Sequence, residues 1–156
     1  MSGFFATINR LKYIPRWGLK RNSFAENVKE HSFDVCIIAH LLCVIRNRYY
    51  AGDIDPGEVV LAALYHDVHE SVTGDLPTPI KKFNNAIHRT YKDIEAVASN
   101  ALIDALPEPL REDFADYVTE SCAEQITELV KAADTISAYF YFVTFKVLNN
   151  KQIWYD

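Results

Sequence analysis

Two histidines and two aspartates lie at positions where apolar side chains would be expected. His31 precedes Val35 by four residues, so it lies on the apolar face of the helix predicted there. His66 and Asp67 continue the apolar spacing of the helix before them, and Asp134 has an inward position in the last long helix. A buried carboxylate is costly unless it is paired or bound to a metal. Three helices that bring these side chains together would therefore form a site for one divalent cation.

Each of these residues also has a simpler explanation when it is taken alone. A single helical histidine is more often structural than a ligand, and a buried aspartate often caps a loop or pairs with arginine. The combination of two imidazoles and two carboxylates is what favours a metal. This donor set suits zinc, cobalt, manganese or iron.

Helical spacing of apolar residues extends over most of the chain. Asp55-Pro56 is typical of a helix start, with an N-cap carboxylate followed by proline at the first helical position. Gly74, Pro77 and Pro79 interrupt the helical pattern. No segment has the alternation of a β-strand, so we predict an all-α fold of about six helices. The predicted helices cover residues 4–12, 27–49, 55–70, 84–105, 107–118 and 123–148.

Length and composition favour one globular domain covering residues 1–156. Apolar residues make up 49% and charged residues 24%, which excludes the disordered and low-complexity classes. No apolar run reaches the ~20 residues of a membrane helix, and the first ten residues lack the pattern of a signal peptide. Three cysteines are too few for a disulfide framework or a cysteine-based zinc site. We therefore expect a reduced, cytoplasmic protein with no membrane partner.

The distribution of charge limits the possible partners. A formal net charge of −5 argues against a large nucleic-acid surface, so we expect no nucleic-acid partner. Residues 10–29 nevertheless hold six basic residues against one acidic residue, Glu26. Such a basic cluster could bind a small phosphorylated ligand. A solvated helix end is the alternative explanation.

The order His31, His66-Asp67, Asp134 resembles the metal-binding signature of the HD-domain phosphohydrolases, which implies an HD-domain helical bundle. The chain is more specifically similar to the YfbR-like 5′-deoxynucleotidase branch of that superfamily, over roughly residues 4–148. The segments that carry this similarity are Arg16-Trp17, Glu26-Asn27-Val28, Glu30-His31-Ser32, His66-Asp67 with Glu70, Thr73-Gly74-Asp75-Leu76-Pro77-Thr78-Pro79 and Val130-Lys131-Ala132-Ala133-Asp134. Longer members of the branch continue past this region, so the resemblance also implies a shortened C-terminal region.

The resemblance implies a catalytic metal centre. The metal would be one divalent ion, cobalt, manganese or zinc, with magnesium as a further option, and its ligands would be His31, His66, Asp67 and Asp134. Glu70 lies one helical turn after His66 and would orient or deprotonate the attacking water. Asp75 would protonate the leaving 5′-oxygen or bind a sugar hydroxyl, and the sequence leaves both roles open. His69 is outside the family pattern, and we expect it beside the metal ligands or on the surface.

The resemblance also implies a nucleotide pocket. Arg16 has a planar guanidinium for phosphate oxygens, and Trp17 has a flat face for a base or a deoxyribose. Lys81 and Thr78 are further candidates for phosphate binding. Each of these residues has a structural alternative, such as a loop tryptophan that packs on the core.

Three functions remain open at this point. The first is hydrolysis of the 5′-phosphate of deoxyribonucleoside monophosphates. The second is release of triphosphate from deoxynucleoside triphosphates by the same fold, for which Lys20, Arg21, Lys81 and Lys82 would bind the longer phosphate chain. The third is a non-catalytic helical interaction module, which does not explain four inward metal-type ligands.

The aromatic run Tyr139-Phe140-Tyr141-Phe142 covers several faces of the last helix. Such a helix lies either at the centre of the core or at a subunit interface. The similarity to an oligomeric family favours a homo-oligomer, a dimer or larger.

Overall fold

The computed structural model of the protein describes the backbone of residues 3–20 and 24–149, and the side chains up to residue 143. Within these residues the secondary structure consists of α-helices and short 3₁₀ turns, and no strand is formed apart from one isolated bridge between Pro15 and Asn27. The helices are α1 (Gly3–Ile8), α2 (Val28–Tyr49), α3 (Pro56–Tyr65), α4 (Glu70–Thr73), α5 (Thr78–Lys81), α6 (Asn85–Asp104), α7 (Arg111–Val118) and α8 (Glu124–Asn149). The predicted all-α class is confirmed.

The number of helices exceeds the predicted six because the region between α3 and α6 is divided more finely than its composition indicates. The predicted helix 55–70 ends at Tyr65, and a turn separates it from α4. A further four-residue helix, α5, begins directly after Pro77. Proline is favoured at the first turn of a helix, so Pro79 suits the start of this element, whereas α4 already ends at Gly74.

Helix α2 is the central element, packed against α3 and α8. Its buried face forms the main core with those two helices. The core members contributed by these helices include Val35, Ala39, Cys43, Val59, Ala63, Val130 and Ala133. A second cluster joins the N-terminal segment to α6 and α7 through Phe4, Leu11, Val28, Val68, Leu102 and Val118. The site lies between these two clusters, where α2, α8 and the segment after α3 meet.

Local capping interactions set the start of both helices that lead into the site. Asn27 accepts a hydrogen bond from the Glu30 backbone N–H at 3.0 Å, and the Glu30 carboxylate accepts one from the Asn27 N–H at 3.2 Å. Asp55 caps α3 by accepting from the Gly57 N–H at 2.7 Å, as the Asp55-Pro56 pair predicted. The capping box fixes the position of the first turn of α2, which carries His31.

Two further observations bear on the predicted surroundings. Within the described residues no helix is long and apolar enough to cross a lipid bilayer. Cys36, Cys43 and Cys122 are all free thiols.

The capping box gives a first testable prediction. Replacing Asn27 by Ala removes the acceptor for the Glu30 N–H and is expected to lower the free energy of unfolding by about 1 kcal/mol. Urea titration followed by circular dichroism measures this change. Asn27→Ser is the matched control, because serine keeps a side-chain oxygen at the N-cap. An equal loss in both variants would contradict the assigned capping role.

Candidate metal centre and nucleotide pocket

The turn that follows α3 positions His66 and Asp67. The Val68 N–H donates to the Tyr65 carbonyl at 3.0 Å, and the Glu70 N–H donates to the Asp67 carbonyl at 3.0 Å, so the chain tightens over these residues. The helical spacing that predicted an inward Asp67 does not apply here, since α3 has already ended. The tight turn directs the Asp67 carboxylate toward the centre.

Four predicted ligands come together from α2, α8 and this turn. One ligand atom each from His31, His66 and Asp134 lies within 4.8 Å of the others. The His31 Nε2 is 3.1 Å from the Asp134 Oδ1 and 3.6 Å from the Asp67 Oδ2. The His66 Nε2 is 3.1 Å from the same Asp67 oxygen. The structure thus brings together two imidazoles and two carboxylates that are far apart in the sequence.

Hydrogen bonds on the far sides of the rings orient both histidines. The Nδ1 of His66 donates to the Ala63 carbonyl at 2.7 Å, which leaves the lone pair of its Nε2 for the centre. The Nδ1 of His31 faces the Glu26 Oε1 at 3.7 Å and the Ser137 hydroxyl at 3.4 Å. Both Nε2 atoms are buried and lie 3.1 Å from a carboxylate oxygen, but neither contact has the geometry of a hydrogen bond. This arrangement fits a divalent cation, whose histidine ligands are usually held by such outer contacts.

The charges at the centre shift several pKa values. Burial alone would lower the pKa of His66, but the Asp67 carboxylate outweighs burial and raises that pKa to about 9. Burial acts in the opposite sense on Asp67, yet the neighbouring His66, His31 and Arg16 hold the pKa of Asp67 well below its usual range. Asp67 is therefore an anion at neutral pH, and it attracts positive charge to this point of the molecule.

Glu70 has a different environment from Asp67. It is almost fully buried, with one carboxylate oxygen 3.2 Å from the Lys81 ammonium and the other oxygen lacking a partner. Burial, reinforced by the nearby Asp67 charge, raises the pKa of Glu70 to about 8 despite the opposing effect of Lys81. A carboxyl with this pKa can exchange a proton near neutral pH.

A cavity of about 540 Å³ opens beside the centre and contains most of the predicted substrate residues. Gly74 has φ +73°, a conformation that favours glycine, and the chain then places Asp75 in the wall of this cavity. Burial raises the pKa of Asp75. Thr78 lies at the exposed rim. The predicted site residues that line the cavity are Arg16, Trp17, Lys20, Asp67, Glu70, Asp75, Thr78, Lys81, Lys82 and Asp134.

Glu26 connects Arg16 and Trp17 to the metal ligands. The Arg16 Nε lies 3.4 Å from the Glu26 Oε2, and its Nη1 lies 3.6 Å from the Asp67 Oδ2. The Trp17 indole N–H donates to Glu26 as well. No role was predicted for Glu26, although it is the one acidic residue in the basic stretch 10–29. A single acidic residue among six basic ones was the feature of the sequence that could have pointed to Glu26.

The last helix supports the Trp17 side chain. The Tyr141 ring stacks on the indole with centroids 5.0 Å apart, and Phe142 packs against it edge-on at 4.8 Å. The Tyr141 hydroxyl donates to the Phe24 carbonyl at 2.6 Å. Two of the four aromatic residues in the run 139–142, Tyr141 and Phe142, therefore pack within the chain and support one wall of the cavity. Tyr139 and Phe140 remain exposed.

A second cavity, of about 310 Å³, lies on the other side of the metal ligands. His69 lines it and is buried, so the alternative of a surface position is wrong. Its Nε2 lies 3.4 Å from the Glu95 carboxylate and its Nδ1 lies 3.8 Å from the Glu120 carboxylate. Lys92 pairs with the other Glu95 oxygen at 2.7 Å. His69 thus links the segment after α3 to α6, which the sequence alone did not indicate.

Known proteins resemble this chain over most of its length. The family model for 5′-deoxynucleotidase YfbR-like proteins matches residues 3–154. A 5′-deoxynucleotidase of Enterobacter sp. (strain 638) is 48% identical over 139 residues, which is 88% of this chain and 70% of that protein.

Solved structures agree in fold. A crystal structure of an HD-domain phosphohydrolase from Listeria innocua has a TM-score of 0.75 at 19% identity, covering 85% of this chain and 64% of that one. The HD phosphohydrolase of cyanophage S-2L, bound to dA and one catalytic Zn²⁺ ion, has a TM-score of 0.62 at 21% identity, covering 94% and 80%.

The Glu95 contacts generate a prediction about pH. Burial would raise the pKa of Glu95, but His69 and Lys92 outweigh it and lower that pKa from 4.5 to about 2. A folded-state pKa below the unfolded value stabilises the protein above pH 4.5, and this contribution is lost as the pH falls toward 2. Glu95→Gln is expected to lower the free energy of unfolding by about 2 kcal/mol at pH 7, with a smaller difference from wild type at pH 3.5.

Urea unfolding at a series of pH values measures this difference. Glu112→Gln, at an exposed position of α7, is the matched control and should leave the stability unchanged. A deficit in Glu95→Gln that stays constant between pH 7 and 3.5 would contradict the assigned ion pairs.

Proposed function

The chain belongs to the YfbR-like 5′-deoxynucleotidase family, and we propose that it is a metal-dependent phosphohydrolase that removes the 5′-phosphate of deoxyribonucleoside monophosphates. The observation that carries this proposal is the cluster of His31, His66 and Asp134 within 4.8 Å, joined by Asp67 and open to the 540 Å³ cavity. The products would be orthophosphate and a deoxyribonucleoside.

His31, His66, Asp67 and Asp134 would hold one divalent ion. The two buried Nε2 atoms without hydrogen-bond partners support this assignment. When bound, such an ion lowers the pKa of water and polarises a phosphoryl oxygen. Cobalt, manganese and zinc suit the donor set, with magnesium as a further option. The Zn²⁺ in the cyanophage HD phosphohydrolase is consistent with this choice.

The side chains around the cavity supply the remaining chemistry. Arg16 turns its guanidinium toward the centre and would bind the phosphate oxygens, with the Lys81 ammonium and the Thr78 hydroxyl as further donors. Glu70 lies beside Asp67 and would accept a proton from the attacking water. Asp75 would protonate the leaving 5′-oxygen or bind a sugar hydroxyl.

The apolar wall of the cavity would contact the nucleoside. Trp17, held by Glu26 and Tyr141, has a fixed orientation and would contact the base or the deoxyribose. Leu19 lies in the same wall. A 2′-hydroxyl that meets these apolar groups would lose its hydrogen bonds to water, which favours deoxyribose over ribose.

One observation favours a second candidate function. The two cavities share Asp67, Thr78, Lys81, Lys82 and Asp134. The smaller one continues past the metal ligands and is also lined by Lys92 and Lys131. A longer phosphate chain would contact these lysines. Triphosphate release from a deoxynucleoside triphosphate is therefore the alternative reaction. Arg21, which was also considered for this role, lies outside the described residues.

Other predictions remain open to experiment. A homo-oligomeric state and a cytoplasmic location are inferred from the family and the composition. A single domain covering residues 1–156 is likewise our proposal. A purely non-catalytic module is disfavoured by the membership in a family of hydrolases.

Product analysis tests the reaction. The protein loaded with Co²⁺, Mn²⁺, Zn²⁺ or Mg²⁺ is incubated with deoxy- and ribonucleoside mono- and triphosphates, and the products are separated by ion-exchange chromatography. We expect orthophosphate from the deoxymonophosphates, and Asp67→Asn should lower this rate by roughly 10²-fold or more, together with the bound metal. Asp93→Asn, on the exposed face of α6, is the matched control. Triphosphate as the product would favour the alternative, and no phosphate release from any deoxymonophosphate would contradict the proposal.

A separate prediction concerns the proton acceptor. Glu70→Gln keeps the size of the side chain and an oxygen for Lys81 but cannot accept a proton. We expect kcat to fall about 10²-fold or more, with metal content and thermal stability close to wild type. Steady-state kinetics and metal analysis of the purified variant measure both quantities. The exposed Glu58→Gln serves as control, and an unchanged kcat in Glu70→Gln would exclude the assigned role.

A further inference from the structure

Tyr91, on α6, is a buried side chain that the apolar core does not explain. It is 8% exposed, yet it belongs to neither of the two apolar clusters formed by the described residues. Its hydroxyl is buried and lies near Thr73, but this contact lacks the geometry of a hydrogen bond. A buried tyrosine usually has a hydrogen-bond partner for its hydroxyl. The ring is therefore the part of Tyr91 whose contacts have to account for its position.

The ring of Tyr91 lies against the Lys81 ammonium. The Lys81 Nζ is 5.0 Å from the centroid of the ring, and the same atom lies 3.2 Å from the Glu70 Oε1. The face of an aromatic ring carries partial negative charge and attracts a cation placed over it. The ammonium therefore has two attractive partners from different elements, a carboxylate on α4 and an aromatic ring on α6.

The short helix that carries Lys81 gives it little support. Helix α5 has only four residues, and none of them is buried. A helix of this length is not stable by itself, because few hydrogen bonds offset the cost of its nucleation. The Lys81 side chain is nevertheless only 22% exposed. Its contacts with α4 and α6 therefore determine where the ammonium lies.

Lys81 connects Tyr91 to the nucleotide pocket. Lys81 lines both the 540 Å³ cavity and the 310 Å³ cavity, whereas Tyr91 lines the smaller one and not the larger. Burial would lower the pKa of Lys81, but the Glu70 carboxylate outweighs burial and raises that pKa, so the side chain is a cation at neutral pH. Tyr91 can therefore act on a ligand in the larger cavity only through the charge of Lys81.

We propose that Tyr91 is a positioning residue, whose ring holds the Lys81 ammonium beside Glu70 at the place where it contacts the phosphate of the substrate. This inference rests on the proposed function, in which Lys81 donates to the phosphate and Glu70 accepts a proton. Tyr91 itself touches neither the substrate nor the metal. The role requires the ring and not the hydroxyl, so phenylalanine can replace tyrosine at this position and leucine cannot.

Two substitutions at position 91 separate the ring from the hydroxyl. Tyr91→Leu is expected to lower kcat for deoxymonophosphates about tenfold with KM changed less than about threefold, because Lys81 lies beside the proton acceptor Glu70. Tyr91→Phe keeps the ring and should restore kcat to within about threefold of wild type. A wild-type kcat in Tyr91→Leu overturns the proposal, and so does an equal loss of kcat in both variants.

A double-mutant cycle tests whether Tyr91 acts through Lys81. In a Lys81→Met background, Tyr91→Leu should lower kcat by no more than about twofold, since the ammonium that the ring positions is already absent. A further tenfold loss in that background would show a role independent of Lys81 and overturn the proposal. Leu102→Val, in the apolar cluster that includes α6, is the structural control. It should lower the melting temperature while kcat, measured well below that temperature, stays close to wild type.

Nuclear magnetic resonance tests the position of Lys81 without any substrate. The ring current of Tyr91 should move the ε-methylene proton signal of Lys81 upfield of the other lysine signals, and Lys81→Met assigns that signal. Tyr91→Phe should keep the shift and Tyr91→Leu should abolish it. An unshifted Lys81 signal in the wild-type protein overturns the proposal, even where Tyr91→Leu fails to fold. A shifted signal in a protein that hydrolyses no deoxymonophosphate would overturn the proposed function, whereas the positioning of Lys81 by Tyr91 would stand.

Discussion

Carboxylates are costly to remove from water, and this protein brings Asp67, Glu70 and Asp134 to one pocket with two imidazoles at its centre. The helices of the domain are arranged so that this cost is offset. Helix α2 brings His31, α8 brings Asp134, and the turn after α3 brings the adjacent His66-Asp67 pair. Arg16 and Lys81 lie at the periphery, each beside one of the carboxylates. A divalent cation would complete the charge balance, and the orientation of the two histidine rings agrees with that need.

The cost of removing carboxylates from water also bears on the difference between the two cavities. The larger one has a rigid aromatic wall and a few convergent charges, which suits a ligand with a flat ring and a phosphate. The smaller one is lined by ion pairs such as His69 with Glu95 and Lys92 with Glu95. Those pairs tie α6 to the segment that carries the metal ligands. The packing of a peripheral helix is thereby connected to the geometry of the centre.

The sequence predicted the helices and the convergence of the four candidate ligands, because both depend on local spacing. His31 lies on the buried face of α2, as its spacing from Val35 predicted, and Asp55 caps α3 as expected. Asp67 lies beside His66 and His31 as predicted, but for a different geometric reason, since α3 ends at Tyr65 and the side chain is directed by a turn. The contacts of Glu26 and His69 join residues from separate elements, so helical periodicity carries no information about them. The positive φ of Gly74 likewise becomes visible only in the folded chain.

Glu26 has a consequence that goes beyond holding two side chains in place. It accepts from the Trp17 indole, lies beside the Arg16 guanidinium and faces the Nδ1 of His31. A nucleotide bound at Arg16 and a cation bound at His31 would both act on this carboxylate. Their affinities would then be thermodynamically linked through one side chain, and reciprocity would require each to change the other by the same factor. Residue 26 would therefore influence the binding of both ligands, although it contacts neither of them directly.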